Sequence, residues 1–142
     1  MSRIARGFGF AGRIEYRHVY SQTGGAQYGR GSAAVRDLLT VFAEAFERDV
    51  NPEDFSLEAM IAHECGHQLL ARHPRIGPRV AGLSLASEEI LASLLGAMLC
   101  PNNTDRVALF AKAVAELLDH GLSVEAANRQ LQELWNLFEA IL

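Results

Sequence analysis

The chain has 142 residues, of which 49% are hydrophobic and 21% are charged, and its formal net charge is −4 at pH 7. This length and apolar content predict a single domain over residues 1–142 with a hydrophobic core of its own. The acidic balance provides no basic field, so we expect no nucleic-acid partner. Arginines concentrate in residues 1–36, which leaves this part locally positive and gives weak support to an acidic partner.

Residues 1–6 lack the apolar run and cleavage pattern of a signal peptide, and no segment is long and apolar enough to span a bilayer. We therefore expect a cytoplasmic protein without a membrane partner. The two cysteines, Cys65 and Cys100, provide no disulfide framework.

Residues 13–20 alternate in the manner of a strand. Gly24 and Gly25 then predict a turn toward a possible second strand at residues 27–30. The sequence thus favours a β-hairpin or a single edge strand within residues 1–31. One face of the first strand carries Ile14, Tyr16, His18 and Tyr20.

Residues 32–49 predict a helix, with Ser32 as its N-cap and a break at Asn51 and Pro52. We expect this helix to lie behind the next one as a backing helix. Its buried face would consist of Val35, Leu38, Leu39, Phe42 and Phe46.

The next segment predicts a helix buried on most of its surface, because its apolar side chains recur at spacings of three and four. Ser56 or Asp54 would be its N-cap, and Pro74 with the following glycine and proline would end it shortly after His73. The apolar positions are Phe55, Leu57, Met60, Ile61, Leu69 and Leu70.

Inside this helix, residues 63–67 form the string HExxH. Two imidazoles four residues apart lie on one helix face, so His63 and His67 can reach one metal ion while Glu64 faces the metal-activated water. Burying these three polar groups would be costly without partners, and a metal satisfies all three. The pattern therefore predicts the core of a zinc peptidase, with Zn²⁺ as cofactor and Glu64 as general base.

A hydrolytic zinc site has three protein ligands, so a third is required. Glu89 is the first candidate, at the start of a helix that Ser87 would cap and that stops at Pro101. From Glu89, a stripe of small residues would let this helix approach the metal helix closely. Acidic residues also occur at helix starts simply because they complement the helix dipole. The stripe consists of Ala92, Ser93, Gly96 and Cys100.

The HExxH string and the Glu-x-x-Ala-Ser run at residues 89–93 resemble the gluzincin peptidases, in which a glutamate on the next helix completes the zinc site. The continuation to Pro101 is similar to the small bacterial and phage peptidases of the ImmA/IrrE type. The resemblance covers residues 55–101 and implies a zincin-like domain. Aligned on the proline instead of the alanine, it makes Glu88 the ligand, so Glu88 remains the near alternative to Glu89.

Two other third ligands are less favoured. His73 stands where metzincins place their third histidine, but those enzymes need a glycine at the position of Leu70. On an unbroken helix His73 would instead interact with the last carbonyls. Cys100 would suggest a deformylase-like site, yet it and Cys65 fit better as buried core thiols. Met98, a candidate for a Met-turn, lies within a helical pattern.

Two more helices are predicted at residues 104–120 and 123–142, the first closed by Gly121. The domain would then comprise a β-containing segment (residues 1–31), the backing, metal and glutamate helices (32–101) and a C-terminal helical pair (102–142). This is a mostly helical α+β fold with about five helices. The last helix would pack internally or form a homodimer through Leu131, Leu134, Trp135, Phe138 and Ile141.

The sequence therefore favours a zinc-dependent peptidase acting on a protein or peptide. The alternative is a non-catalytic metal-binding or regulatory module that uses its C-terminal helix as an interface. In zincins a sheet edge often binds the substrate as an added strand, and residues 13–30 are the candidates, which would bring Tyr16 or His18 to the cleft. Donors available for the developing oxyanion are Tyr16, His18, Tyr20, Tyr28 and His120.

Overall fold

A computed structural model describes residues 2–17, 26–42, 56–80, 82 and 84–142. These residues form three strands and six helices, which confirms the mostly helical α+β fold. No helix in this part of the chain combines the length and apolar character needed to cross a membrane. The strands are β1 (Arg13–Arg17), β2 (Ala26–Gly29) and β3 (Leu38–Phe42). The helices are α1 (Ser2–Gly7), α2 (Leu57–Arg72), α3 (Gly77–Val80), α4 (Leu85–Leu99), α5 (Asn103–Asp119) and α6 (Val124–Ile141).

The sheet has the strand order β1-β3-β2, with β3 at its centre. β3 runs parallel to β1 and antiparallel to β2, with Leu39 opposite both Ile14 and Tyr28. The strands predicted near residues 13–20 and 27–30 are therefore confirmed for residues 13–17 and 26–29, while residues 18–20 lie outside the described part. The predicted hairpin is wrong, because β1 and β2 are the two edges and do not pair with each other.

The predicted backing helix is also wrong over residues 32–42, because residues 32–37 are not helical, so Ser32 caps no helix, and residues 38–42 form the central strand instead. Leu39 and Val41 are buried on one face of the sheet, and Thr40 is buried on the other. A strand covered on both faces shows no apolar–polar alternation, so its pattern resembles that of a buried helix. Val35, expected in the core, is exposed. Residues 43–49 of the prediction, including Phe46, lie outside the described residues.

Helix α2 begins where the sequence predicted, because the Ser56 hydroxyl accepts a hydrogen bond from the Ala59 N–H at 3.0 Å. It ends with His73 as its C-cap, whose N–H donates to the Leu69 carbonyl. All of residues 61–68 are buried. This burial confirms the expectation of a helix enclosed on most of its surface.

Helix α2 lies between two layers. On one side Ile61 and Cys65 pack against Leu39 and Val41 of β3. On another side its small residues pack against α4, and Ala62 shares a buried cluster with Ala97. The metal-motif helix is thus positioned by the sheet and by the helical layer together.

The C-terminal helices complete the helical layer. Gly121 adopts a φ of +92° directly after α5, in the left-handed region that favours glycine, and Ser123 caps α6. Leu131 and Phe138 of α6 are buried in one cluster with Leu94 and Leu95 of α4. The apolar face of α6 therefore packs within the chain, as one of the two sequence-based alternatives expected.

Candidate metal centre

Helices α2 and α4 approach each other closely because each presents a glycine at the contact. A Cβ added at Gly66 would overlap the Ala92 carbonyl oxygen, and one added at Gly96 would lie 3.0 Å from the backbone of Ala62. Any larger residue at either position would push the helices apart. The predicted small-residue stripe of α4 thus faces α2, and it brings the first turn of α4 opposite the HExxH motif.

This contact brings His63, His67 and Glu89 together. The Nε2 atom of His63 lies 2.9 Å from Glu89 Oε2, and the Nε2 atom of His67 lies 3.1 Å from Glu89 Oε1. One ligand atom from each of the three residues falls within 4.8 Å of the others. The structure therefore gathers the three residues that the sequence proposed as metal ligands.

The other nitrogen of each imidazole has its own partner. His63 Nδ1 lies 3.0 Å from the hydroxyl of Ser93, which is fully buried, and His67 Nδ1 lies 3.2 Å from Glu88 Oε1. A carboxylate can only accept, so the His67 Nδ1–H donates to Glu88. Partners of this kind fix the ring orientation and leave Nε2 to face the centre of the site.

Glu88 and Glu89 thereby take different positions. Glu89 faces both Nε2 atoms, whereas Glu88 contacts the far side of the His67 ring. The predicted N-cap of this helix is wrong, because Ser84 rather than Ser87 accepts the capping bond, from the Ser87 N–H.

The charges in the site are strongly coupled. Burial lowers the pKa of His63. Burial would also lower the pKa of His67, but the hydrogen bond to Glu89 and the charge of Glu64 outweigh it and the pKa is raised. Hydrogen bonds from the two histidines hold the pKa of Glu89 well below its usual range. A carboxylate held in its charged form between two imidazoles suits a cation-binding role.

Glu64 lies beside this cluster with 8% of its surface exposed. Burial raises its pKa to about 7, and the negative charge of Glu89 acts in the same direction. The charge of His67 and the nearby backbone N–H of Tyr28 in β2 partly oppose this shift in pKa. A carboxyl group with a pKa near neutrality can both accept and return a proton at physiological pH.

The site opens into a cleft of about 260 Å³. One wall is β2, with Ala26, Gln27 and Tyr28, and the other is the start of α4. The Glu89 side chain is 47% exposed toward this cleft. The arrangement is therefore accessible from solvent.

The remaining candidate ligands lie elsewhere. His73 is not part of the cluster, and its Nδ1 accepts hydrogen bonds from the N–H groups of Arg75 and Ile76 rather than contacting the last carbonyls of α2. Burial raises the pKa of Cys65 to about 12 and that of Cys100 to about 11. Both thiols are buried core residues, as the sequence suggested.

Of the three predicted oxyanion donors that the structure describes, two are not among the residues lining the cleft. Tyr16 is exposed on β1, the edge of the sheet opposite β2, and His120 is exposed beyond α5 with Nδ1 bonded to the Glu116 carbonyl. His18 and Tyr20 lie outside the described residues. Tyr28 lines the cleft, but its hydroxyl donates to Asp37 at 2.8 Å. The prediction that residues 13–30 reach the cleft thus holds through β2 and not through Tyr16.

A buried group that the sequence did not single out connects β2 to α2. Asp37 is 5% exposed and accepts hydrogen bonds from Tyr28, from the Gly31 N–H at 2.8 Å and from Gln68 Nε2 at 2.9 Å. Arg72 adds an ion pair at 2.7 Å. Since Gln68 directly follows His67, this network, which we call the Asp37 latch, fixes β2 relative to the metal-motif helix.

Comparison with known proteins provides no relative from which to transfer a function: no family model, no curated protein and no solved structure matches this chain.

Proposed function

We propose that this protein is a zinc-dependent peptidase with His63, His67 and Glu89 as metal ligands and Glu64 as general base. The observation that carries the proposal is the convergence of two imidazole nitrogens and a carboxylate beside a buried glutamate at an open cleft. This combination has the ligand types and the accessible position of a catalytic zinc site. A closed site with four protein ligands would favour a structural metal instead.

The donor set supports zinc on chemical grounds. Imidazole nitrogens and a carboxylate oxygen are ligands that zinc prefers, at distances of about 2.0–2.2 Å. Ligand atoms arranged tetrahedrally at those distances are about 3.3 Å apart. One ligand atom from each of the three residues lies within 4.8 Å of the others, and Glu89 meets the two Nε2 atoms through different oxygens, Oε2 at 2.9 Å and Oε1 at 3.1 Å. The outer bonds of His63 to Ser93 and of His67 to Glu88 hold the rings in this orientation.

Zinc and the residues of the chain would have separate roles in peptide hydrolysis. When bound, zinc supplies a Lewis acid that polarises the scissile carbonyl and activates water. Glu64 accepts a proton from the attacking water and returns it to the leaving amine, for which its raised pKa is suited. Glu64 is 8% exposed and lines the cleft together with Tyr28, so its carboxylate faces the place where the attacking water would lie.

The substrate would lie along β2. One edge of this strand is paired with β3, and residues 26–28 line the cleft beside Glu64 and His67. An extended peptide can add to the other edge of β2, which is paired with no described strand, through main-chain hydrogen bonds. Such bonds would place a peptide bond next to the metal without requiring a deep pocket. This is the reason for proposing a peptide or protein as the substrate.

We further propose that the protein acts in the cytoplasm, since the free thiols of Cys65 and Cys100 are compatible with a reducing compartment. The alternative of a regulatory module with α6 as its interface has less support, because Leu131 and Phe138 of that helix are already buried within the chain.

The test is elemental analysis of the purified protein after reconstitution with zinc and removal of excess metal, combined with hydrolysis of a peptide library. We expect about one zinc per chain in the wild type. The variants Glu89→Gln and Glu88→Gln separate the two candidate ligands, since only the first should lose stoichiometric zinc. Glu64→Gln should retain zinc and lose hydrolysis by about 10²-fold or more.

Two results would contradict the proposal in different ways. A wild-type protein without zinc after reconstitution would remove the metal site. A protein that binds zinc but hydrolyses no peptide, with Glu64→Gln indistinguishable from the wild type, would leave a metal-binding module and exclude the peptidase.

A further inference from the structure

A second cavity of about 610 Å³ adjoins the metal cleft and plays no part in the chemistry proposed above. It shares two lining residues, Tyr28 and Glu88, with the cleft. Its floor is the last turn of α2, with Leu70 and Ala71, and its far wall is formed by the residues around α3. A substrate held in the cleft would therefore meet this cavity with a residue adjacent to the scissile bond. We call it the Arg30 pocket.

The polar side chains of the Arg30 pocket are mainly hydrogen-bond donors. Arg30 is exposed and forms no hydrogen bond or ion pair with any described residue. Nδ1 of His73 accepts two backbone N–H groups, so its ring proton lies on Nε2, which can donate. Arg72 uses Nε and Nη2 in the Asp37 latch, which leaves Nη1 as a donor.

Side-chain acceptors in this pocket are few. The Tyr28 hydroxyl donates to Asp37, and Glu88 is the acidic residue among those lining the pocket, with its Oε1 on His67 and its Oε2 as the remaining carboxylate acceptor. A ligand that brings further donors would find few partners, whereas one that brings acceptor oxygens would find a guanidinium. Carboxylates and phosphates match guanidinium groups, because they can form parallel, charge-assisted hydrogen bonds. Of these two groups, a peptide substrate supplies the carboxylate.

The position of Arg30 along the chain sets its distance from the scissile bond of a bound peptide. Arg30 directly follows β2 and stands two residues after Tyr28, which lines the cleft beside Glu64. Two residues of extended chain span about 7 Å. A peptide lying along β2 would thus present to Arg30 a group within about two residues of the scissile bond.

We propose that the Arg30 pocket binds a substrate carboxylate, either the side chain of an aspartate or glutamate next to the scissile bond or the C-terminal carboxylate of the substrate. This proposal rests on the proposed function, because it takes the peptide to be anchored at the metal centre. It deepens that function by assigning a substrate class, namely peptides with an acidic group close to the cleavage site.

The test uses short peptide hydroxamates, which anchor on zinc and need no catalysis. Three carry a blocked C-terminus and differ only in the side chain next to the hydroxamate, which is glutamate, glutamine or leucine. A fourth has the leucine side chain and a free C-terminal carboxylate. Calorimetry would give the Kd of each for the zinc-loaded wild type, for Arg30→Gln and for Arg36→Gln. Arg36 is the matched control, since it is also exposed but lines a different cavity.

We expect a carboxylate-bearing hydroxamate to bind the wild type about tenfold more tightly than its neutral counterpart, as one charge-assisted hydrogen bond predicts. Arg30→Gln should abolish this difference and Arg36→Gln should keep it, with zinc content unchanged in both. Preference for the glutamate compound identifies a side-chain site, and preference for the free C-terminus identifies an exopeptidase-like site.

Equal affinities of all four compounds for the zinc-loaded wild type would overturn the carboxylate pocket and leave the metal centre intact. The same holds if Arg36→Gln removes the preference as fully as Arg30→Gln does. A wild type that holds no zinc and binds none of the compounds would overturn the proposed function and this inference together.

Discussion

Two elements face helix α2 across the candidate metal centre, and they are held to it by different forces. Helix α4 packs through small residues, so that Gly66 and Gly96 bring the two backbones into contact. Strand β2 is attached through the Asp37 latch, in which one buried carboxylate joins Tyr28 of the strand to Gln68 and Arg72 of the helix. The first attachment is steric and the second is ionic.

The two kinds of attachment suit the different roles of α4 and β2 in the candidate site. Glu89 and Ser93 on α4 must meet His63 within a few tenths of an ångström, and close packing of backbones provides that precision without dependence on charge. β2 lines the side of the cleft where a substrate would enter, and hydrogen bonds to one carboxylate keep it in place. Disrupting the steric wall should therefore damage metal binding, whereas disrupting the ionic wall should damage stability and leave the metal ligands in place.

The largest effect is expected from Gly66→Ala, which breaks the steric wall. The added methyl group would overlap the Ala92 carbonyl, and backbone atoms cannot turn aside as a flexible side chain can. We expect the free energy of unfolding to fall by about 3 kcal/mol or more. Zinc stoichiometry should fall with it, because α4 carries Glu89. Chemical denaturation and elemental analysis measure the two losses.

Gly7→Ala is the matched control, since a Cβ at Gly7 meets no atom within 4 Å. It should change the free energy of unfolding by less than about 1 kcal/mol. If Gly66→Ala were as harmless as Gly7→Ala, the close approach of α2 and α4 would not be what positions the site.

A smaller effect is expected from Asp37→Asn, which breaks the ionic wall. The substituted amide presents a donor to groups that are themselves donors, including Gln68 and the Gly31 N–H. We expect a loss of about 2 kcal/mol in the free energy of unfolding from these buried hydrogen bonds. The ion pair with Arg72 contributes the smaller part of this loss, because that side chain is 42% exposed and solvent screens its charge. Zinc stoichiometry should remain at the wild-type value, and its loss would contradict the separation of the two walls.

The same variant has a defined pH dependence. Hydrogen bonds from Arg72 and Gln68 hold the pKa of Asp37 below its ordinary value of 3.8. A lowered pKa in the folded state means that the stabilisation is present above about pH 4 and disappears as pH falls toward the folded-state pKa. The stability difference between wild type and Asp37→Asn should therefore be constant from pH 5 to 7 and shrink below pH 4. A difference that grew on acidification would contradict this assignment.

The two walls also differ in how far the sequence could predict them. The steric wall, formed by α2 and α4, can be predicted from local patterns. The HExxH spacing places both histidines on one helix face, and the stripe from Ala92 to Cys100 indicates a close contact between the helices. Both are read within single helices, where side-chain direction depends only on the helical period. The same stripe favours Glu89 over Glu88, because Glu89 lies on the small-residue face of the helix, while alignment on Pro101 leaves Glu88 as the alternative.

The ionic wall, formed by β2 and the Asp37 latch, could not be predicted from local sequence patterns. Asp37 is 31 residues away from Gln68, and no spacing rule connects a residue beside a strand with one on a later helix. The pattern of the central strand predicts a helix instead, since Leu38–Phe42 is apolar except for Thr40 and lacks a regular alternation. Without that strand, neither the position of β2 nor the Asp37 latch could be deduced. A glutamine directly after the second histidine, buried in a helix, was the available hint that a polar partner lay nearby.

The smallest effect is expected from Ser93→Ala, which leaves both walls in place and removes one hydroxyl group from α4 in the steric wall. Ser93 is fully buried and its contact is with His63 Nδ1, so the substitution should leave that ring without its orienting partner. Zinc affinity should fall about tenfold, at the lower end of the range for such supporting groups, because Glu89 still fixes the other side of the ring. Ser87→Ala on the same helix is the control, since the Ser87 side chain meets Ser84 and not a histidine. Competition with a chromophoric chelator gives both affinities. An equal zinc affinity in the two variants would show that packing against α4, and not the Ser93 hydroxyl, orients His63.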